Sequence, residues 1–236
     1  MYDKNAPTTI QTMFDSIAPS YDRANQILSF GMHSFWNRSL VRHLKQKKPA
    51  KVFLDLCSGT GEIAFAYLKN LQSPPKTYLL DFSASMLAIA KEKAKKLKTT
   101  RHLHYIQGDA EKINLKSDSV DHISMAYGIR NIKNPNKCIK EAFRVLKNGG
   151  RLGILELTRP KNGLIRMLHS CYLKGFLPII GKYVTSNKNA YNYLSSSIAS
   201  FLSPSELEKI LKETGFAKIE TIPLLGGIAT LLIASK

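Results

Sequence analysis

Apolar residues recur along this chain in two alternating rhythms. Short runs at Val52–Leu56, Tyr78–Leu80, Leu103–Gln107, Val120–Met125 and Arg151–Leu157 read as buried strands. Between them, helical spacing predicts Ile63–Leu71, Ser85–Leu97 with a buried stripe of Met86, Leu87, Ile89 and Ala90, and Pro135–Leu146. Strand followed by helix, repeated, predicts a parallel sheet with right-handed crossovers. Lys147-Asn148-Gly149-Gly150 is expected to stop the third of these helices. Residues 8–44 read as helical, with breaks at Ala18-Pro19-Ser20 and Ser29-Phe30-Gly31, and form a cap ahead of the first strand. The alternation fails over 158–200, a stretch rich in Leu, Ile, Tyr and Phe and punctuated by Gly163, Gly175, Pro178 and Gly181, which reads as an insertion. Ser203 as N-cap and Pro204 at the first helical position then open helix Ser205–Thr214, which ends at Gly215. Two last strands, Ala217–Ile222 and Ile228–Ala234, are joined across Gly226-Gly227 and predict an antiparallel hairpin at the sheet edge.

With 236 residues and 44% hydrophobic content, a single α/β domain over 1–236 is the expectation. No apolar run of about eighteen residues is present, so no membrane span is predicted. The first residues carry neither signal nor transit character, which predicts a cytoplasmic protein. Cys57, Cys138 and Cys171 are too scattered for a zinc cluster and too few for a disulfide framework, and read as small buried hydrophobes. The charge changes the picture more. A net +18, from 35 Lys and Arg against 17 Asp and Glu, points to nucleic acid, to anionic lipid or to a lysine-heavy composition.

Chemistry concentrates at Leu54-Asp55-Leu56-Cys57-Ser58-Gly59-Thr60-Gly61-Glu62, where an apolar strand ends in a carboxylate and turns through glycines into a helix. Glycines let the backbone turn sharply and approach a ligand, as a nucleotide cofactor requires. Asp81, closing the next strand, is placed to meet a ribose. Gly59, Gly61 and Ala64 also satisfy the loose dinucleotide pattern, and Asp55 separates the two cofactor classes. A pyrophosphate would be repelled by that carboxylate, whereas S-adenosylmethionine brings a sulfonium and an ammonium that it attracts. Gln107-Gly108-Asp109-Ala110, after the third strand, suits an adenine, with a carboxylate for the amine and a methyl against the ring.

At the end of the fourth strand stands Ser124-Met125-Ala126-Tyr127-Gly128-Ile129-Arg130-Asn131. With it, the chain resembles the ubiquinone/menaquinone biosynthesis C-methyltransferase family, within the class I S-adenosylmethionine-dependent methyltransferases. The resemblance runs from about Met13 to the C-terminus. It rests on Phe14-Asp15-Ser16-Ile17-Ala18-Pro19-Ser20-Tyr21-Asp22 with Asn25, on Ser29-Phe30-Gly31-Met32-His33 with Trp36, on the glycine loop and on Tyr127-Gly128-Ile129-Arg130-Asn131. Arg144-Val145-Leu146-Lys147-Asn148-Gly149-Gly150-Arg151, Leu155-Glu156 and Ala190-Tyr191-Asn192-Tyr193-Leu194 complete it. Departures are Cys57-Ser58 for Ala/Gly-Gly, Asp109 for Asn and Asn148 for Pro.

The resemblance implies a Rossmann-like, seven-stranded, mostly parallel sheet with the antiparallel hairpin, the helical cap and a helical insertion after strand five. It implies S-adenosylmethionine bound by Asp55, Gly59, Thr60, Gly61, Asp81, Asp109, Ala110 and Tyr127. It further implies methylation, without a metal, of a ring carbon of a polyprenylated hydroquinone through its phenolate. Demethylmenaquinol is favoured for a chain of bacterial character, with a benzoquinol as the alternative. Arg130 would hold the phenolate or orient a water, with Tyr21, Asn131 and His33 beside it; His33 reads equally as a structural histidine. The apolar insertion suits a prenyl tail or, alternatively, core packing under a loop. The basic excess suits docking at the inner face of an anionic membrane rather than nucleic acid. The resemblance leaves room for a homodimer. An RNA methyltransferase would need an Asn/Asp-Pro-Pro-Tyr/Phe block where Ala126-Tyr127-Gly128-Ile129 stands, and a catalytically silent basic binding module would not need Asp55, Asp81 and Asp109 intact.

Overall fold

The computed structural model describes residues 6–46, 49–176 and 188–236. Seven strands, β1 (Val52–Leu56), β2 (Lys76–Asp81), β3 (Leu103–Gln107), β4 (Val120–Ala126), β5 (Leu146–Leu157), β6 (Lys218–Leu224) and β7 (Ala229–Ser235), form one sheet in the order β3-β2-β1-β4-β5-β7-β6. The first five run parallel, and β7 lies antiparallel to both β5 and β6. From β1 the crossovers proceed one way to β2 and β3 and the other way to β4 and β5. The connections therefore diverge beyond the ends of β1 and β4 and leave a crevice there.

Strand alternation sends neighbouring residues to opposite faces of the sheet. Leu54, Leu80 and Ile123 pack with Ile139 and Ala142 of α6 (Pro135–Val145) and with Leu207 and Leu211 of α9 (Pro204–Thr214). Phe53, Leu79 and Leu231 pack with α3 (Met32–Lys45), α4 (Glu62–Leu68) and α5 (Ala84–Lys96). A smaller cluster of Ala24, Leu28, Leu173, Tyr191 and Ile198 joins α2 (Tyr21–Leu28) of the cap to the insertion, whose described part comprises α7 (Gly163–Cys171), a π-turn (Tyr172–Phe176) and α8 (Lys188–Ser200). The first helix, α1 (Pro7–Ile17), is separated from α2 by one 3₁₀ turn. Pro178 and Gly181, expected punctuation of the insertion, lie outside the described residues.

Most predicted elements appear within a residue or two, and the differences have local causes. α4 ends at Leu68 rather than Leu71, because the chain must become extended at Pro74-Pro75 to deliver β2; Asn70 turns it at φ 62°. Lys147–Gly150 stops α6 but already belongs to β5, as a bulge where pairing with β4 jumps from Val120–Leu146 to His122–Arg151 and Gly149 takes φ 77°. On α5, Ala94 is buried while Ile89 is only half-buried. Of the cysteines only Cys138 is fully buried; Cys57 is half-buried and Cys171 is exposed at the end of α7.

Gly153 of β5 sets how closely the cap lies on the sheet. A Cβ there would stand 2.5 Å from Leu40 Cδ1 and 3.1 Å from Leu44 Cγ of α3. Gly153→Ala is expected to lower stability by about 1–3 kcal/mol through overpacking, read as a lower urea midpoint at unchanged slope.

Candidate active site

The glycine loop after β1 is held from beneath by buried carboxylates. Asp81 Oδ2 accepts from the Gly59 N–H at 2.8 Å, and its Oδ1 accepts from the Ser83 N–H at 2.9 Å. Burial pushes its pKa up to about 6 against the pull of those bonds. Gly59 turns at φ 52° with nothing within 4 Å of where a Cβ would be, so its backbone lies bare toward the space above. Gly61 differs: at φ 83° its missing Cβ would meet Phe65 at 2.7 Å, so this glycine serves the close entry of α4.

Asp55 occupies another place than the expected direct contact with a cationic ligand. It is fully buried within β1, accepting from Ser124 Oγ at 2.5 Å and from the Ala64 N–H at 3.2 Å, and burial pushes it up to about 7. The central strand is covered on both faces, so this carboxylate ties β4 to the first turn of α4 and lines neither of the two cavities described next. Thr60 likewise turns away: its hydroxyl donates to Asp22 Oδ1 at 2.6 Å and accepts from Lys93 Nζ at 2.9 Å, closing a knot between loop, cap and α5. Ser83 Oγ donates to Asp15 at 2.5 Å and Gln11 to the Phe82 carbonyl at 3.1 Å, which fastens α1 over the same loops.

Two cavities meet at this crevice. The first, about 180 Å³, is lined by Gly59, Asp81, Phe82, Met86, Asp109 and Ala110, with Gly128 and Asn131 opposite. The second, about 370 Å³ and predominantly apolar, lies between cap and insertion and is lined by His33, Trp36, Arg130, Leu168, His169 and Tyr172 among others. Tyr21 and Tyr127 line both. Of the residues singled out in the sequence, Gly59, Asp81, Asp109, Ala110, Asn131, Tyr127 and Tyr21 therefore face the first cavity, and His33 and Arg130, with the two shared tyrosines, the second. Asp55, Thr60 and Gly61 face neither.

Arg130 is 8% exposed, and its Nη1 donates to Glu156 Oε1 at 2.5 Å and to the Tyr127 carbonyl at 2.7 Å. Glu156, fully buried, also accepts from the Arg130 N–H at 3.3 Å. Asn131 receives the Tyr193 hydroxyl of α8 at 3.1 Å, and Tyr127 donates its own hydroxyl to Asn37 at 3.0 Å. His33 Nδ1 lies 2.8 Å from Ser29 Oγ and its Nε2 3.8 Å from Glu62; burial lowers its pKa. Burial raises that of Tyr21 and keeps its hydroxyl protonated. Sequence reasoning gave no site role to Glu156, Tyr193 or His169. Glu156 had a signal, an acid within the apolar run Ile154-Leu155-Glu156-Leu157; the other two sit in the insertion, where spacing predicts no facing direction.

Residues 2–236 match the ubiE/COQ5 methyltransferase family. The chain is 48% identical over 236 residues to a protein of Protochlamydia amoebophila named demethylmenaquinone methyltransferase, covering 100% of this chain and 98% of that one. It is 40% identical over 228 residues to the protein of that name from Chlamydia muridarum, covering 96% of each. Among solved structures, a SAM-dependent methyltransferase from Aquifex aeolicus superposes with TM-score 0.60 at 20% identity, over 84% of this chain and 88% of that one, a likeness of fold.

Because burial raises Asp81 above its unfolded value, the group's contribution to the stability of the ligand-free protein is complete below about pH 4 and is lost as pH rises through about 6. A ligand whose hydroxyls donate to the carboxylate needs the ionised form. S-adenosylmethionine affinity is therefore expected to fall as pH drops from 7 to 5, by up to about tenfold per unit below pH 6. Asp81→Asn should remove that dependence and weaken binding at pH 8 at least about tenfold. Titration calorimetry reads both; a dissociation constant flat across this range in the parent would contradict the role.

Proposed function

The chain belongs to the ubiE/COQ5 methyltransferase family, and from that premise we propose that it transfers the methyl group of S-adenosylmethionine to a ring carbon of demethylmenaquinol, giving menaquinol in menaquinone biosynthesis. The observation that carries this is the end-to-end likeness to proteins named demethylmenaquinone methyltransferase. The first cavity fits the cofactor by its donor set. Asp81 offers a carboxylate to a ribose diol, Asp109 one to an exocyclic amine, and Phe82, Met86 and Ala110 an apolar bed for a purine. Bound there, S-adenosylmethionine supplies an electrophilic methyl group on a sulfonium.

The second cavity takes the quinol, its apolar wall holding the rings and the start of the prenyl tail, and Tyr21 with Tyr127 forms the boundary at which ring and methyl donor face each other. Glu156 fixes Arg130 by Nη1, leaving Nη2 to hold the negative oxygen that develops on the quinol. Asn131, steadied by Tyr193, closes the first cavity on that side. Purified protein given S-adenosylmethionine and demethylmenaquinol should yield menaquinol by mass spectrometry. Oxidised demethylmenaquinone, kept from reduction, should remain unmethylated, because only the hydroquinone has the electron-rich ring; equal turnover of both would sink the reading.

The same reading seats the face around the second cavity against an anionic bilayer, where a prenylated quinol resides. No helix among the described residues is long and apolar enough to cross a membrane. Phe30 is 71% exposed, and Leu164, Met167 and Leu168 of α7 and Phe176 after it are exposed too; Phe30, Leu168 and Leu225 also line the cavity. No Asp or Glu lies between Glu156 and Glu206, while Arg159, Lys161, Arg166 and Lys174 are exposed there. Each well-placed cation contributes about 1 kcal/mol at such a surface. Flotation with anionic liposomes should be strong, weaken with salt and nearly vanish for Leu164→Glu/Met167→Glu; equal flotation with neutral vesicles would argue against it.

A further inference from the structure

One proton acceptor on the wall of the second cavity has no donor to bond it. His169 of α7 is 8% exposed, and among the described residues its imidazole has no hydrogen-bond partner. Of its polar neighbours on that wall, Trp36 Nε1 and Arg130 Nε also lack a partner, but both are donors only and cannot take a proton; the others are engaged. Tyr127 donates to Asn37, Tyr172 to the Leu28 carbonyl, Tyr21 is bonded to Asn25, His33 pairs with Ser29, and Arg130 with Glu156. A ring nitrogen that borders a cavity and bonds nothing in the protein is free to bond what enters, and the space before this one is where the quinol is read to lie.

Burial lowers the His169 pKa, so the ring is neutral and offers one lone pair. No other group on the wall is as well suited to take a proton. The Arg130 guanidinium offers only donors; burial raises Tyr21, Tyr127 and Tyr172, which stay protonated. His33 is already engaged at Nδ1, with Glu62 beside its Nε2. We propose that His169 is the general base that accepts the hydroxyl proton of the bound quinol, an inference that rests on the reaction proposed above.

The quinol O–H bond breaks, an N–H bond forms on His169, and the electron pair stays on oxygen. Conjugation delivers that pair to the ring carbon, which bonds the methyl group as the methyl–sulfur bond breaks and its pair passes to sulfur. The ring C–H bond then breaks, its proton leaves to water, and its pair restores the aromatic phenolate. The imidazolium returns its proton to that oxygen, so the enzyme ends unchanged and one proton is released per methyl transferred.

Base action needs the neutral ring, so turnover falls as pH drops through the His169 titration; the other titratable groups on the wall are Tyr21, His33, Tyr127, Arg130 and Tyr172. His169→Gln is expected to lower kcat by about a hundredfold or more with little change in KM, and to lose the acidic limb of the pH profile, while His33→Gln keeps that limb. Free imidazole should restore part of the turnover of His169→Ala. Without cofactor, the nitrogen-15 resonance of the His169 acceptor nitrogen, identified by its loss in either His169 variant, should move on adding 1-naphthol and stay in place on adding naphthalene. His169→Gln turning over near the parent rate with its acidic limb intact, or a 1-naphthol response no different from that to naphthalene, overturns the proposal. A parent protein that leaves demethylmenaquinol unmethylated instead overturns the reaction, and the 1-naphthol arm still reads the imidazole by itself.

Discussion

Three carboxylates withdrawn from water, Asp81 on β2, Asp55 on β1 and Glu156 on β5, stand toward the carboxyl ends of three parallel strands of the sheet, and the crevice is shaped by satisfying them. Asp55 takes the Ser124 hydroxyl and holds the strands beneath the site, while the other two recruit a partner that is itself part of it, Asp81 the Gly59 N–H and Glu156 the Arg130 guanidinium. The last is the most demanding. Removing Arg130 alone would leave Glu156 charged and unpaired in the interior at a cost of about 3–5 kcal/mol, yet a buried pair is worth little more than an apolar replacement of both partners. The pair therefore makes better sense as a fixture that aims the guanidinium into the second cavity than as a source of stability.

The two cavities are not independent of the cap and insertion. α2 and α8 meet in one small apolar cluster, Tyr193 of α8 reaches Asn131, and Asp22 of α2 holds Thr60 in the glycine loop. A ligand in either cavity thus touches elements that form the other. The loops at the crevice carry backbone cost as well: Cys57 at φ 53° and Tyr127 at φ 57° are non-glycine residues in left-handed conformation, each costing about 1–2 kcal/mol. They meet where Gly128 allows it, since a Cβ there would be 2.5 Å from Cys57 Cβ. Strain of this kind persists only where surrounding contacts enforce it, and these two residues border the space where methyl donor and ring are read to meet.

Electrostatically the molecule is inverted. Its net charge is +18, yet Asp81, Asp109 and Glu111 line the first cavity. A cationic ligand finds counter-charges in the pocket, while the positive excess is carried by lysines and arginines elsewhere on the molecule. Burial raises Asp55 and Asp81 together, so a bound cation would favour the charged form of both.

What the sequence by itself determined is local or periodic. Strand and helix identities follow from the two apolar rhythms, the hairpin from Gly226-Gly227, and the start of α9 from Ser203, whose capping box with Glu206 is complete within four consecutive residues. The glycine loop and Asp81 were legible because a strand-turn-helix unit has little freedom in where it places its turn. The burial of Asp55 and the turn of Thr60 away from the cavity were not legible, since their partners Ser124 and Asp22 lie 69 and 38 positions away. Nor was the capture of Arg130 by Glu156, 26 positions on, or the isolation of His169 on the cavity wall. Composition and spacing determine which face of an element is apolar. Which polar group meets which across the crevice is decided only when the chain closes, because burial makes an unpartnered charge too costly and so selects, among distant candidates, the one the packed elements bring within reach.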